Sequence, residues 1–220
     1  MFSLIAFAQN NTDTKQPVPN LPVPDVQKVR GMNARFIVAL ISDGDNGAWV
    51  GTEDEGVFHC QVDGKVSQFT TKNGLGDNNG YALAIDKLGR LWVGHLNTGV
   101  SVFNGKDWKN YDVVDGPIGE RIFDIKICPL DGDVWIATSA GLTRYRVFFD
   151  DWQHITRYDG LLEDQVSSLA FDYDGNMFVG MRSHGIAIFE RRFDGVYSHV
   201  RNIVAPDRFG EDNVSPVPIE

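Results

Sequence analysis

The chain has 220 residues, of which 42% are hydrophobic and 23% are charged, and it contains 23 glycines. This composition is typical of a folded globular protein and excludes a disordered or fibrous chain. The formal net charge of −10, from 20 basic and 30 acidic residues, argues against nucleic acids and anionic membrane surfaces as partners, because both attract clustered lysine and arginine. Neutral, polyhydroxylated and cationic ligands are compatible with this charge.

The first 25 residues differ from the rest of the chain. Residues 2–8 form a short apolar run without a basic start, and the run ends in Ala6-Phe7-Ala8, a pattern similar to a secretory cleavage site. Residues 9–25 are polar and rich in proline. We interpret residues 1–25 as a signal remnant and an extended leader, which predicts a periplasmic or extracellular protein. No stretch of the sequence approaches the roughly 18 apolar residues of a membrane span.

From residue 26 onward the sequence repeats itself. An aromatic residue recurs every 43 positions, at Trp49, Trp92, Trp135 and Phe178. A small residue follows two positions later, at Gly51, Gly94, Ala137 and Gly180. A further glycine comes next, at Gly56, Gly99, Gly141 and Gly185. A fixed period of this length is the signature of a repeat architecture.

Each repeat is predicted to contain four short strands. An apolar run, at residues 36–41, 81–85, 123–128 or 166–171, precedes an Asp/Gly turn and the strand that carries the aromatic residue. Two further strand-like runs with polar turns complete the unit. Four antiparallel strands in about 40–45 residues form one blade of a β-propeller. The sequence therefore predicts an all-β propeller domain over residues 26–220, with full blades at 34–74, 75–117, 118–161 and 162–205.

The strongest repeat strings resemble a known family. Residues 89–94 followed by Gly99-Val100, and residues 47–52 followed by Gly56-Val57, resemble the two-component regulator propeller repeat. Residues 73–78 and 159–165 look like the Gly-Leu-Pro-x-Asn entry of that family, without its proline. The resemblance covers about residues 26–201 and implies a sensor-type propeller. Such propellers form periplasmic regions of hybrid sensor kinases or stand alone as secreted proteins, and related ones include lyases that act on cyclic peptide antibiotics.

Four blades are fewer than the seven typical of that family. Residues 212–217 repeat the pattern of residues 164–169, so we interpret residues 206–220 as the start of a fifth blade. Residues 26–29 resemble a fourth strand without a blade before it. Two interpretations remain open. The chain is either the N-terminal part of a larger propeller, or a short chain that closes with four blades or pairs with a second copy.

The segments that enter the first strand of each blade predict a ligand site at one mouth of the central channel. Alignment of these entries places four polar side chains in one ring, at Asn33, Asn78, Arg121 and Gln165. Four more side chains flank this ring, namely Asn79, Tyr81, Glu120 and Asp164. Polar groups that converge on a funnel are typical of a binding site for a small molecule, an oligosaccharide or a peptide. The alternative is that these side chains cap turns.

Other kinds of site have weaker support. The Asp-rich turns lack the spacing of a calcium loop, and the five histidines lack the spacing of a zinc site, so neither a metal nor a cofactor is expected. Cys60 and Cys128 lie in different blades, which favours two thiols over a disulfide. Trp108 and Trp152 are predicted to cover blade edges.

We therefore predict a non-catalytic, ligand-binding sensor propeller. Its signalling output would belong to a partner protein or to a further C-terminal region. One alternative is a lyase or hydrolase, which needs His95 or His184 close to a glutamate as an acid–base pair. The other is a scaffold for protein partners, which predicts an apolar patch on a blade face or edge.

Overall fold

The computed structural model describes residues 34–204, which form four antiparallel sheets of four strands each. Blade 1 contains β1 (Ile37–Ser42), β2 (Gly47–Thr52), β3 (Val57–Gln61) and β4 (Val66–Phe69). Blade 2 contains β5 (Ala82–Ile85), β6 (Leu91–Gly94), β7 (Val100–Phe103) and β8 (Trp108–Tyr111). Blade 3 contains β9 (Ile122–Ile127), β10 (Val134–Thr138), β11 (Gly141–Arg146) and β12 (Asp151–Ile155). Blade 4 contains β13 (Val166–Phe171), β14 (Met177–Met181), β15 (Ile186–Arg191) and β16 (Tyr197–Ile203). The four-stranded blades predicted from the repeat are confirmed.

The only helical elements in residues 34–204 are three single turns of 3₁₀-helix, at Gly44–Asn46, Thr71–Asn73 and Arg157–Asp159. Within the same range the chain has no helix long and apolar enough to cross a membrane. Asn33 and the segments 1–25, 26–29 and 206–220, which carry the predicted leader and partial blade, lie outside the described residues.

Neighbouring blades pack through their first strands in chain order. β1 contacts β5, β5 contacts β9, and β9 contacts β13. Within each blade the strands pair in sequence order, as in a meander. This arrangement places the first strand of each blade on the inner side and leaves β4, β8, β12 and β16 as the outer strands, as in a propeller.

The repeated aromatic residue is a wedge between one blade and the next. Trp49 packs against Leu91 and Val93 of blade 2, and Trp92 and Trp135 pack against blades 3 and 4 in the same way. The exposed fractions of the three tryptophans are 6%, 0% and 1%, whereas Phe178 in blade 4 is 36% exposed. Phe178 differs because no described blade follows it.

The repeated small residue lies where two blades approach most closely. A Cβ atom at Gly51 would lie 2.0 Å from the carbonyl oxygen of Gly80 in the next blade. A Cβ atom at Gly94 would lie 2.4 Å from Cγ2 of Ile122 in blade 3. Real Cβ atoms do not approach other atoms so closely, so glycine at these positions permits the blade spacing.

The two cysteines and the two outer-strand tryptophans lie as the sequence predicted. No disulfide joins Cys60 and Cys128 in the described part of the chain; Cys128 is buried and Cys60 is half-buried. The Trp108 ring packs edge-on or tilted against Phe69 and Phe103. The Trp152 ring packs in the same manner against Tyr111 and Tyr145. Both tryptophans therefore close the outer edge of a gap between two blades.

Candidate functional site

The predicted site residues within 34–204 lie at one end of the blades, which we call the entry face. Because consecutive strands are antiparallel, the segments that enter each first strand share this end with the turns between second and third strands. Backbone hydrogen bonds join the two sets. Gly99 N–H donates to the Glu120 carbonyl at 2.9 Å, Ser139 N–H to Arg121 at 3.1 Å and Arg182 N–H to Gln165 at 3.1 Å. These bonds place Glu120, Arg121 and Gln165 on the entry face.

Asn78 and Asp164 have structural contacts on the entry face. The Asn78 side-chain oxygen accepts the Thr71 backbone N–H at 2.9 Å, and the Asp164 carboxylate accepts the Arg157 N–H at 2.9 Å. The two residues are thus equivalent in blades 2 and 4. Alignment of the entries had instead placed Asn78 with Gln165. Both side chains cap the 3₁₀ turn before the blade, which supports the structural alternative for these two positions.

Asn79 joins blades 1 and 2 below the surface. Its side-chain amide donates to the Glu53 carbonyl at 2.9 Å, and its own carbonyl lies 2.5 Å from Nδ1 of His95. The side-chain oxygen of Asn79 is buried without a hydrogen-bond donor in the described residues. Asn79 therefore holds two blades together and has one unused acceptor.

Tyr81, Glu120 and Arg121 differ from the capping residues because their side chains are uncommitted. All three are exposed, and within residues 34–204 none of them forms a side-chain hydrogen bond or an ion pair. Glu120 supplies an acceptor and Arg121 a planar set of donors, in the segment that enters β9. Tyr81 adds a hydroxyl group and an aromatic ring at the start of β5. Gln165 also has no side-chain hydrogen bond within residues 34–204, but it is half-buried. The three exposed side chains are therefore the most accessible part of the predicted site.

A histidine–glutamate pair also lies on the entry face. Nδ1 of His184 is 3.2 Å from a carboxylate oxygen of Glu163, and Glu163 also accepts the backbone N–H groups of Ser183 and His184. Burial raises the pKa of Glu163, but the hydrogen bonds from Ser183 and His184 outweigh this effect and hold the pKa below its ordinary value. The pair predicted for the enzyme alternative is therefore present at His184.

His95 is placed quite differently, because its side chain is fully buried between blades 1 and 2. Its Nε2 lies 2.7 Å from the Ser101 hydroxyl group, which accepts the Gly76 N–H at 3.0 Å. The same hydroxyl lies 2.7 Å from the side-chain oxygen of Asn110. Ser101 has one proton to donate, to either His95 or Asn110. This arrangement resembles a serine–histidine pair, but its burial makes it a structural network.

The sequence analysis missed the roles of Ser101 and Asn110. A signal exists in β7, where Ser101 interrupts an otherwise apolar strand. A buried hydroxyl group needs a partner, so such a residue points to a polar network in the core. The other members of this network, Asn79, His95 and Asn110, are brought together only by the folded structure.

Burial of His95 predicts a dependence of stability on pH. Desolvation lowers the pKa of folded His95 below its ordinary value of 6.5, despite the hydrogen bond that the ring donates to the Asn79 carbonyl. The unfolded chain therefore takes up this proton first as the pH falls. We expect the free energy of unfolding to decrease below about pH 6.5, by up to about 1.4 kcal/mol per pH unit, until the folded-state pKa is reached.

Urea unfolding of the wild type and His95→Gln at a series of pH values checks this expectation. The variant should have a shallower slope between about pH 6.5 and 5, while the other titrating groups remain in both proteins. His154, whose pKa burial also lowers, contributes equally to the two curves. Identical slopes would show that His95 is not the group responsible.

Comparison with known proteins identifies the fold. No protein-family model and no curated protein matches the chain. Solved structures do match. The extracellular domain of a proposed hybrid two-component system, BT3049 of B. thetaiotaomicron, is 23% identical with a TM-score of 0.65, over 74% of this chain and 23% of that chain.

Two further solved structures have the same fold at lower identity. An auxiliary nutrient binding protein of Bacteroides thetaiotaomicron is 11% identical with a TM-score of 0.56, over 75% of this chain and 41% of that chain. A protein assigned as a gluconolactonase is 12% identical with a TM-score of 0.55, over 77% of this chain and 64% of that chain. This chain spans about a quarter of the length of the BT3049 domain. It has the β-propeller fold of an extracellular sensor domain, in agreement with the resemblance of its repeats to the two-component regulator propeller.

Proposed function

We propose that the chain is a sensor-type β-propeller that works in the periplasm or outside the cell and captures a ligand on its entry face. The observation that carries this proposal is the uncommitted set of Tyr81, Glu120 and Arg121, at the end where loops of adjacent blades are joined. Polar side chains and an aromatic ring that have no protein partners at one end of a propeller are suited to a small-molecule site. The fold of a sensor domain and of a nutrient binding protein supports the same function.

The side chains favour a ligand with both donors and acceptors. Arg121 donates hydrogen bonds, Glu120 accepts them, and Tyr81 does both and offers a ring face. The adjacent opposite charges leave this patch close to neutral. An oligosaccharide or a peptide fits this chemistry better than a strongly charged ligand. Signal output would pass to a partner signalling protein or to a further part of the polypeptide.

We expect Arg121→Ala to weaken ligand binding at least about tenfold, because a hydrogen bond to a charged group contributes about 1.5–3 kcal/mol. The ligand is first selected by thermal-shift screening against glycans and peptides, since a ligand that binds the native state raises its stability. Calorimetry with the selected compound then gives the affinity of each variant.

Asn78→Ala is the matched control for this experiment. It removes a side chain of the same ring, but one that caps a turn, so it should lower stability by about 1 kcal/mol and leave affinity unchanged. A compound that binds Arg121→Ala as tightly as the wild type would place the site elsewhere. The two variants thus separate the binding role from the capping role.

A second candidate function is a lyase or hydrolase, which the His184–Glu163 pair favours. Glu163 holds Nδ1 of the imidazole, so Nε2 is the ring nitrogen left to take or give a proton. The same screen distinguishes the two functions. Conversion of the selected compound to products, followed by mass spectrometry, would establish catalysis, whereas recovery of the unchanged compound supports binding.

A further inference from the structure

A groove of about 790 Å³ lies along the outer side of blades 3 and 4. The two other gaps between blades are each closed on the outer side by two large rings at equivalent positions. Phe69 and Trp108 close the gap between blades 1 and 2. Tyr111 and Trp152 close the gap between blades 2 and 3. The pairing registers place Ile155 and His199 at these positions in the third gap. Both side chains are smaller than the rings they replace. Trp135 is covered instead by Tyr197 of blade 4, at 4.8 Å between ring centroids, and both rings line the groove.

The groove runs past an unpaired strand edge. Gln153, His154 and Ile155 all line it, although consecutive strand residues point to opposite faces of a sheet. A groove that contacts all three must pass the edge of β12. β12 is the outermost strand of blade 3, and among the strands of residues 34–204 it pairs with β11 alone. Its outer backbone groups are therefore available to another strand.

β12 also lacks the features that normally block such pairing. Exposed edges are protected by lysine, proline or a bulge. β8 carries Lys109, and the pairing of β16 is shifted by an irregularity at Phe189. β12 has regular pairing over its whole length and contains neither lysine nor proline. β4 likewise pairs regularly and has neither lysine nor proline. Of these two unprotected outer strands, β12 is the one beside this groove.

Two exposed aromatic residues form the rim of the groove. Phe148 and Phe149, in the turn between β11 and β12, are 90% and 63% exposed. The equivalent turns of blades 1 and 2 are polar, at residues 63–65 and 104–106. Exposed aromatic side chains next to a concave surface are characteristic of protein interfaces. The turn of blade 3 thus departs from the repeat in the direction that favours a partner.

The floor of the groove combines aromatic and polar groups. The Arg144 guanidinium lies over the rings of Trp135 and Tyr197, at 5.3 and 5.4 Å, and forms ion pairs with Asp131 and Asp133. These charges balance one another, which argues against a strongly charged ligand.

We propose that this groove binds an extended segment of a partner protein, which pairs with the edge of β12 as a fifth strand of blade 3. Main-chain hydrogen bonds to β12 would provide affinity, and every second side chain would enter the groove beside the rings of Phe149 and Tyr197. The partner site is separate from the entry face, so ligand capture and partner contact use different surfaces. This would give a ligand-binding propeller a route to pass on its signal.

A library of random dodecapeptides displayed on phage tests the proposal with the intact chain. We expect enrichment of peptides with alternating apolar residues. Their affinity, measured by calorimetry, should fall at least about tenfold for the double variant Phe148→Ala with Phe149→Ala, because exposed aromatic anchors dominate such interfaces. The matched control is Phe193→Ala, a fully exposed phenylalanine in the equivalent turn of blade 4, which should leave the affinity unchanged.

A second measurement tests the pairing mode itself. Binding of an enriched peptide should slow hydrogen exchange of the backbone amides in Asp151–Ile155, and N-methylation of alternate peptide amides should abolish binding. The proposal is overturned if no peptide is enriched, or if the rim variant or N-methylation leaves affinity unchanged. Binding of maltohexaose or xylohexaose that the rim variant abolishes, without peptide binding, would assign the groove to glycans and equally overturn it.

Discussion

Replacement of Trp92 by alanine is expected to lower the free energy of unfolding by about 3–5 kcal/mol, the cost of removing a large buried ring. Trp92 is fully buried and packs against both its own blade and blade 3. The cavity would therefore lie between two sheets, and neither could close it without moving its own strands. Phe178→Ala, at the same position of the repeat in blade 4, should cost only about 1–2 kcal/mol because its ring is partly exposed.

Urea unfolding of the two variants beside the wild type measures both effects through the transition midpoint, provided that the slope with denaturant stays the same. Trp92 and Phe178 lie at the same repeat position in the second strand of their blades. The difference between the two losses of unfolding free energy therefore measures the effect of the following blade, which covers Trp92. Equal losses of unfolding free energy for Trp92→Ala and Phe178→Ala would mean that the ring of Phe178 is covered in solution. That result would contradict the exposure of its outer face.

The blade architecture was predictable because one contact is repeated. Each interface needs a large ring on one blade and a small residue where the next blade approaches, and Trp49 with Gly51 supplies both. The same packing acts on every blade, so the same residues recur at a fixed period. Ala137 shows how much variation this contact permits, since blade 3 retains its sheet with an alanine at that position.

The candidate site was less predictable, because residues at one sequence position serve different purposes. Spacing alone placed Asn78 in line with Gln165, but hydrogen bonds make it equivalent to Asp164. Entry segments differ in length, so alignment by strand start and alignment by capping role give different partners. Only the contacts show that Arg121 and Glu120 are uncommitted while Asn78 is not.

The groove beside β12 could not be predicted, because it depends on which side chains of blades 3 and 4 meet between the two sheets. Ile155 and His199 lie on different blades, and the irregular pairing of β16 decides which residue faces Phe189. A shift of one residue moves every side chain to the other face of a strand. Sequence patterns therefore show which rings are present, but not which of them meet between two blades.

Asp86→Ala is expected to cost about 3 kcal/mol, because this single side chain serves four donors. The Asp86 carboxylate is almost fully buried. It accepts the backbone N–H groups of Leu88 and Arg90, Nε of Arg90 at 2.7 Å and the indole N–H of Trp92 at 2.9 Å. Its loss would leave the Arg90 charge beside the Trp92 ring without its counter-ion, and the buried indole N–H without an acceptor.

Asp172→Ala is the matched control, at the same turn two blades further along the propeller. Asp172 caps the same turn through the N–H groups of Asp174 and Asn176, but its second oxygen accepts only the Asn176 amide. Blade 4 has Asn176 where blade 2 has Arg90, and Phe178 where blade 2 has Trp92, so neither a charge nor an indole N–H depends on Asp172. We expect a cost of about 1 kcal/mol, measured by the same urea unfolding. A cost for Asp86→Ala no larger than this would show that the turn cap, rather than the buried contact with Trp92 and Arg90, is what the aspartate contributes to each blade.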